Sequence, residues 1–296
     1  MATVCRLCPR ECGADRTRGF GACKVGNTIT AARAALHMWE EPCISGEEGS
    51  GAVFFSGCNL GCVYCQNREI ALGHSGRTIT QDRLCEIYME LQEKKANNIN
   101  LVTAGHYLPI VIESIKKARK NGLTIPIVYN SSGYEKVEAI EALNGIVDIF
   151  LPDFKYISSE MAARYSNAPD YPEVAKRALA QMVKQTGEAK FDERDMMKRG
   201  VIVRHLILPG HIKESKKAIR YLYETYGDQI YISIMNQYTP MPGIEKRFKN
   251  LGRTITQREY DEVVDYAVDL GVENGFIQEG ETAKESFIPQ FDDTGL

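Results

Sequence analysis

A chain of 296 residues, 44% hydrophobic and 25% charged, has the makings of one large α/β domain or two ordinary ones and not of a disordered protein. Its formal net charge of −3 makes no electrostatic case for nucleic acid as the main partner, and no run of ~18 apolar residues is present to cross a membrane. Nine cysteines follow a start without the apolar core of a signal peptide, so the expected location is cytoplasmic and the expected cysteine chemistry is metal or redox, not disulfides.

In chain order, Cys5-x2-Cys8-x3-Cys12 with Cys23 behind it is a four-thiolate set among glycine and proline turns, able to take zinc or an auxiliary 4Fe–4S cluster. So apolar-poor a segment needs an anchor to fold, and a metal would supply one. A helical candidate, AARAALHMWEE, covers 31–41, Cys43 lies near enough in sequence to approach a metal site, and the acidic stretch 46–51 reads as a loop. These features make residues 1–50 a cysteine-rich metal-binding extension and 51–296 the main domain.

Apolar runs at 52–55, 99–104, 125–130, 147–151, 201–208 and 230–235 read as buried parallel strands. Helical spacing follows each, from Thr80 as N-cap and then at 109–121, 135–143, 173–186, 214–226 and 256–270. Six strand–helix units imply right-handed crossovers and a parallel sheet, and six are too few for an eightfold barrel. The expected fold is therefore α/β: a partial (β/α)6 TIM-type barrel. Its strands end in polar or small residues, where barrel sites gather, and Cys85 lies on an apolar helix face as a core residue.

After the first of these strands stands Gly57-Cys58-Asn59-Leu60-Gly61-Cys62-Val63-Tyr64-Cys65, a C-x3-C-x2-C loop. Soft thiolates select iron–sulfur clusters, zinc or copper(I). Structural zinc wants four ligands, so a zinc reading needs a fourth residue from elsewhere. Three ligands on a four-iron cube leave one iron open, which is the mark of a catalytic site.

This loop, with an aromatic residue before its third cysteine, resembles the signature of the radical S-adenosylmethionine (SAM) superfamily, and the chain resembles most the pyruvate formate-lyase activating enzyme-like group and its uncharacterised homologues. The resemblance implies a 4Fe–4S cluster on Cys58, Cys62 and Cys65, with SAM on the open iron. It also implies one-electron cleavage to a 5′-deoxyadenosyl radical, hydrogen abstraction from a protein or peptide substrate, and an electron donor such as flavodoxin or ferredoxin. Carried over position by position, Asp153 and Lys155 fall near the cofactor, Arg204 near its carboxylate, and Asn130 and Ser131 in a cofactor-facing segment, with Tyr64 beside adenine.

Two departures stand out. Where the family has Gly-Gly-Glu, this chain has Thr103-Ala104-Gly105-His106, so Thr103 and His106 become the cofactor-side candidates. Gly49-Ser50-Gly51-Ala52 replaces the Asp-Gly-Pro-Gly-x-Arg approach of glycyl-radical activases, which separates the radical chemistry from that target. His205 and residues 236–238 are substrate-side candidates, and the tail from Phe287 to Phe291 is placed against the barrel or over its mouth. A non-catalytic iron–sulfur or zinc protein, used in electron transfer or scaffolding, is the competing reading.

Overall fold

The structure, a computed structural model, describes residues 4–278 and 288–296. Ten strands form one sheet: β1 (Ile29–His37), β2 (Ser50–Phe55), β3 (Arg77–Ile79), β4 (Ile99–Val102), β5 (Ile127–Ser131), β6 (Ile149–Pro152), β7 (Lys190–Phe191), β8 (Met197–Leu206), β9 (Tyr231–Met235) and β10 (Gly275–Ile277). Their order is β10-β9-β8-β6-β5-β4-β2-β1-β3, with β7 paired to β8 off this path. Every neighbouring pair from β2 to β10 is parallel. Among the described residues the two edges do not meet, so the barrel is open.

The helices α1 (Pro42–Ser45), α2 (Arg68–Ala71), α3 (Gln81–Glu93), α4 (Leu108–Lys120), α5 (Val137–Glu141), α6 (Ser159–Ser166), α7 (Tyr171–Thr186), α8 (Ile212–Tyr226) and α9 (Gln257–Leu270) complete the chain. The six expected strand–helix units are present. β10 adds a seventh parallel strand, too short at three residues to register as an apolar run. Thr80 caps α3, its side chain accepting from the Arg83 N–H at 3.0 Å. The α3 face of Leu84, Ile87, Tyr88 and Leu91 is fully buried, each aliphatic side chain contributing roughly 1.5–3 kcal/mol.

The helix expected over 31–41 does not form. Residues 29–37 are instead strand β1, antiparallel to β2 from Ala31↔Phe55 to His37↔Ser50. Alanine favours helix by a few tenths of a kcal/mol per residue, but a whole ladder of strand pairing on a buried edge outweighs that. β1 therefore joins the cysteine-rich segment to the barrel sheet. The acidic stretch after it is a turn only as far as Gly49, and β2 begins at Ser50.

Period-2 alternation sorts the strand side chains into two layers. Val201 and Val203 of β8, Phe150 of β6 and Tyr129 of β5 face the helices, in one core cluster. Ile202, Ile149, Leu151 and Val128 face inward and pack on Cys43 and Ile44 of α1. Helix α1 thus plugs the lower barrel, held by Asn98 Nδ2 to the Ile44 carbonyl at 2.7 Å and Asn97 Nδ2 to the Ser45 carbonyl at 2.6 Å. Cys43, expected to approach a metal site, is spent as part of this plug. Cys85 sits in the α3 core as expected.

One buried acid outside this plug has a pH consequence. Glu135, 4% exposed after β5, has its carboxyl pushed up from 4.5 to about 8 by burial, against which the neighbouring Tyr129 hydroxyl pulls it down. A raised acid keeps its proton longer in the folded chain than in the unfolded one, so stability is lost as pH rises through this window. Denaturant unfolding is expected to show a decline of up to about 1.4 kcal/mol per pH unit between about 4.5 and 8, flattened by Glu135→Gln. A wild-type profile flat across that range would remove Glu135 as its cause.

Candidate metal centre and adjoining cavity

Above the plug, the inner layer turns polar. The next inward positions after Val128, Leu151 and Ile202 are Asn130, Asp153 and Arg204, which line a cavity of about 230 Å³ at the C-terminal ends of the strands. Cys58, Cys62 and Cys65 line the same cavity, on the loop that leaves β2. Two glycines shape that loop in the left-handed region, Gly57 at φ +90° and Gly61 at φ +66°. A Cβ at Gly57 would stand 2.6 Å from the Cys23 carbonyl oxygen, so this close approach requires glycine.

The loop is tied on all sides. The Cys58 N–H donates to the Cys23 carbonyl at 3.1 Å, the Val63 N–H to the Tyr165 carbonyl at 2.8 Å, and Asn59 Nδ2 to the Tyr134 carbonyl at 2.8 Å. The Ser166 hydroxyl donates to Cys62 Sγ at 3.0 Å, and the Leu60 N–H to Cys58 Sγ at 3.4 Å. All nine cysteines are free thiols. Burial pushes Cys65 up to about 12 and Cys58 up as well, with the neighbouring sulfurs adding to both. Among the described residues, no three His, Cys, Asp or Glu side chains close on one point as the ligands of a single ion would.

The same cavity has a compact ionic floor. Arg204 Nε donates to Asp153 at 3.0 Å, one terminal nitrogen to Glu40 at 3.1 Å, and the other to Asn130 Oδ1 at 2.6 Å. Lys155 Nζ donates to the other Asp153 oxygen at 2.6 Å. Glu40 also accepts from Asn100 Nδ2 at 2.9 Å and Asn130 Nδ2 at 3.3 Å. Burial opposes the charges of Asp153, Lys155 and Arg204, and their mutual attraction outweighs it. Asp153 is held below its ordinary range by Lys155 and Arg204, and Lys155 and Arg204 above theirs chiefly by Asp153. The floor thus sets the cations of Arg204 and Lys155 against the carboxyl groups of Asp153 and Glu40.

Tyr64 lines the cavity beside its cysteines, its ring edge-on to Tyr156, Tyr165 and Tyr238. The Tyr156 hydroxyl donates to Tyr64 at 2.7 Å and lies 2.8 Å from Ser166 Oγ. The hydroxyls of Tyr64, Tyr156 and Ser166 thus stand in a row that ends at the sulfur of Cys62.

Of the residues singled out in the sequence, Cys58, Cys62, Cys65, Tyr64, Thr103, Asn130, Ser131, Asp153, Lys155 and Arg204 all line this one cavity. His106 does not: its ring is buried, with Nε2 2.8 Å from the Ser56 carbonyl oxygen. His205 does not either, because adjacent strand residues face opposite ways; its Nδ1 meets the Phe154 carbonyl oxygen at 2.7 Å on the helix side. Of residues 236–238 only Gln237 is a lining residue, while Tyr238 is buried and bonds the Leu251 carbonyl. Phe287 lies outside the described residues, but Ile288 and Pro289 of the tail line the mouth, and Phe291 packs edge-on against Phe54 at 5.6 Å. The sequence reading missed His37 at the end of β1, Trp39 and Glu40 just after it, and Ser166, which donates to Cys62. Only a carboxylate beside a proline-started plug helix hinted at Glu40.

The sequence profile of the radical SAM superfamily matches residues 52–222. An uncharacterized protein of Methanocaldococcus jannaschii is 28% identical over 269 residues, covering 89% of this chain and 74% of that protein. Among solved structures, SuiB of Streptococcus suis is similar at 12% identity and a TM-score of 0.49, over 79% of this chain and 49% of that one. SuiB bound to its precursor peptide SuiA is similar at 11% identity and 0.48, over 75% and 46%. The chain thus spans about half the length of SuiB.

Proposed function

The chain belongs to the radical SAM superfamily, and from that premise we propose that it reductively cleaves SAM to start hydrogen abstraction from a protein or peptide substrate, in the manner of the activating enzymes. The observation that carries this reading is the shared cavity, lined both by the three free thiols of a C-x3-C-x2-C loop and by a charged, hydrogen-bonded floor. The residues fit a 4Fe–4S cluster on three counts. The donors are soft thiols, the glycines leave room at the loop (a Cβ at Gly61 would meet nothing within 4 Å), and the cavity adjoins all three sulfurs.

When bound, the cluster supplies the electron that breaks the sulfonium C–S bond of SAM, leaving methionine and a 5′-deoxyadenosyl radical. The chain's own residues do the positioning. Cys58, Cys62 and Cys65 are the ligands. Arg204 and Lys155 retain N–H donors beyond those given to Asp153, Glu40 and Asn130, and these serve the methionine carboxylate. Glu40 and Asp153 face its ammonium, and Glu40 does so in place of the missing Gly-Gly-Glu carboxylate. Thr103, Asn130 and Ser131 supply neutral hydrogen bonds, and Tyr64, locked by three tyrosines, offers its ring to adenine. Ile288 and Pro289 shield the mouth from water. A one-electron donor of the flavodoxin or ferredoxin class is required, and the four N-terminal cysteines are assigned to a second metal, zinc or iron–sulfur.

The test is anaerobic reconstitution with iron and sulfide, reduction with dithionite, and detection of 5′-deoxyadenosine after adding SAM. Iron-loaded protein that makes none, with no spectral change on adding SAM, would point to an electron-transfer or scaffold protein instead. The Ser166 hydroxyl adds a finer expectation. A hydrogen bond to a ligand sulfur stabilises the more negative, reduced cluster, so Ser166→Ala is expected to lower the midpoint potential by ~40 mV, the equivalent of ~1 kcal/mol. Potentiometric EPR reads this directly, and an unchanged potential would deny Ser166 that role.

A further inference from the structure

The cavity leaves the four N-terminal thiols unused. Residues 4–28 hold few apolar side chains and are paired within themselves by turn hydrogen bonds, such as Cys5 N–H to the Ala14 carbonyl and Gly13 N–H to the Cys5 carbonyl, and by the Val4↔Asp15 bridge. They are fastened to the cluster loop itself. Arg10 donates to the carbonyls of Asn59, Leu60, Ser166 and Asn167, and Arg16 to the carbonyl of His106. Within this segment the thiols gather. A Cβ on Gly21 would lie 3.3 Å from Cys23 Sγ and 3.5 Å from Cys12 Sγ. Cys5 lies near Cys12, and Cys8 lies near both Cys5 and Cys23.

Two features give the gathering a direction. Cys23 is buried and its carbonyl accepts the Cys58 N–H at 3.1 Å, so one residue of the N-terminal set and one of the core set share a hydrogen bond with no side chain between them. Gly57 is the glycine that permits this approach. Cys12 is exposed, and so are Arg6, Arg18, Lys24 and Phe20 of the same segment, Phe20 at 76%. Residues 4–28 carry five basic side chains against two acidic ones, in a chain whose net charge is −3.

We infer that Cys5, Cys8, Cys12 and Cys23 hold a second iron–sulfur centre that passes electrons to the core cluster across the Cys23–Cys58 contact, and that the basic rim docks a small acidic one-electron carrier. The inference rests on the reading of Cys58, Cys62 and Cys65 as a cluster site. Four thiols fastened to the backbone of a core-site cysteine place a second centre next to the first, a position that a redox-active cluster can use and redox-inert zinc cannot. In each turnover the reduced carrier loses one electron, the N-terminal centre gains and then loses it, and the core cluster is reduced. That electron ends on SAM as its C5′–S bond breaks. Charge complementarity sets the encounter, which makes it sensitive to salt.

The full chain, reconstituted anaerobically, is expected to hold about twice the iron of a Cys8→Ala/Cys12→Ala variant. Its EPR titration should resolve two one-electron centres, only one of which changes on adding SAM. With reduced flavodoxin as sole donor, the variant's 5′-deoxyadenosine formation should fall roughly tenfold relative to its own dithionite-driven rate, and added salt should slow the wild type with flavodoxin but not with dithionite. Zinc, a single EPR centre, or an unchanged ratio of flavodoxin- to dithionite-driven rates each overturns the inference. Should the variant not fold, the wild-type iron content and titration decide alone. Failure of the underlying reading looks different: iron-loaded wild type would then make no 5′-deoxyadenosine with dithionite either.

Discussion

Replacing any one of Cys58, Cys62 or Cys65 with alanine is expected to reduce 5′-deoxyadenosine formation to background and to remove one cluster's worth of iron. The three sulfurs are the only thiols on the cavity wall among the described residues, so no neighbouring cysteine can take over a lost position. Cys43 is locked in the α1 plug, and Cys85 is in the α3 core, its sulfur 3.7 Å from Asn121 Nδ2. At Cys62 the change also takes away the acceptor of the Ser166 hydroxyl. Iron content, the visible charge-transfer band and product formation should fall together, whereas Cys85→Ala should leave all three in place. Full cleavage activity in all three alanine variants would sink the cluster assignment.

The second large effect is expected at Arg204. Its guanidinium joins Asp153, Glu40 and Asn130, which arrive on three different elements, and its side chain is 15% exposed. Arg204→Met leaves two buried carboxylates facing each other with only Lys155 to balance them, and breaking such a set costs roughly 3–5 kcal/mol. Denaturant unfolding at neutral pH measures it. Asp153 is held below its ordinary value in the wild type, so the stability it contributes is present above about pH 4 and lost as pH falls through its folded value. Without Arg204, Asp153 takes up a proton more readily, and the gap between variant and wild type should narrow in acid. Adding Glu40→Gln should recover part of the loss at neutral pH, because it removes one stranded charge. A loss below about 1 kcal/mol, the range of an exposed pair, would mean that the floor is not closed from solvent.

Sequence patterns carried the barrel a long way. Apolar runs of four to eight residues between helical stretches can only pack as a parallel sheet covered by helices, and the cysteine loop falls where such barrels place their chemistry. What escaped was decided by contacts between residues far apart in the chain. β1 looked helical because alanine is a helix former, and only the neighbouring edge of β2 makes it a strand. Glu40 is 164 residues from Arg204 and 90 from Asn130. Ser166 is 104 residues from Cys62. Nothing local marks such partners. His205 is a different matter, since strand alternation alone puts it opposite Arg204, and the polar character of its ring obscured that.

The amino-acid sequence by itself determined the type of chemistry and its frame: three thiols within eight residues, six strand–helix units, and the inward parity that puts Asn130, Asp153 and Arg204 on one face. These follow from spacing and period, which are properties of neighbours in the chain. Only the tertiary structure decided that the segment before β2 threads into the barrel, plugs its base with α1 and lends Glu40 to the floor. Only it brought Cys23 to the backbone of Cys58. Burying a charge or closing a loop depends on which distant groups meet it, and that is settled when the sheet folds around them.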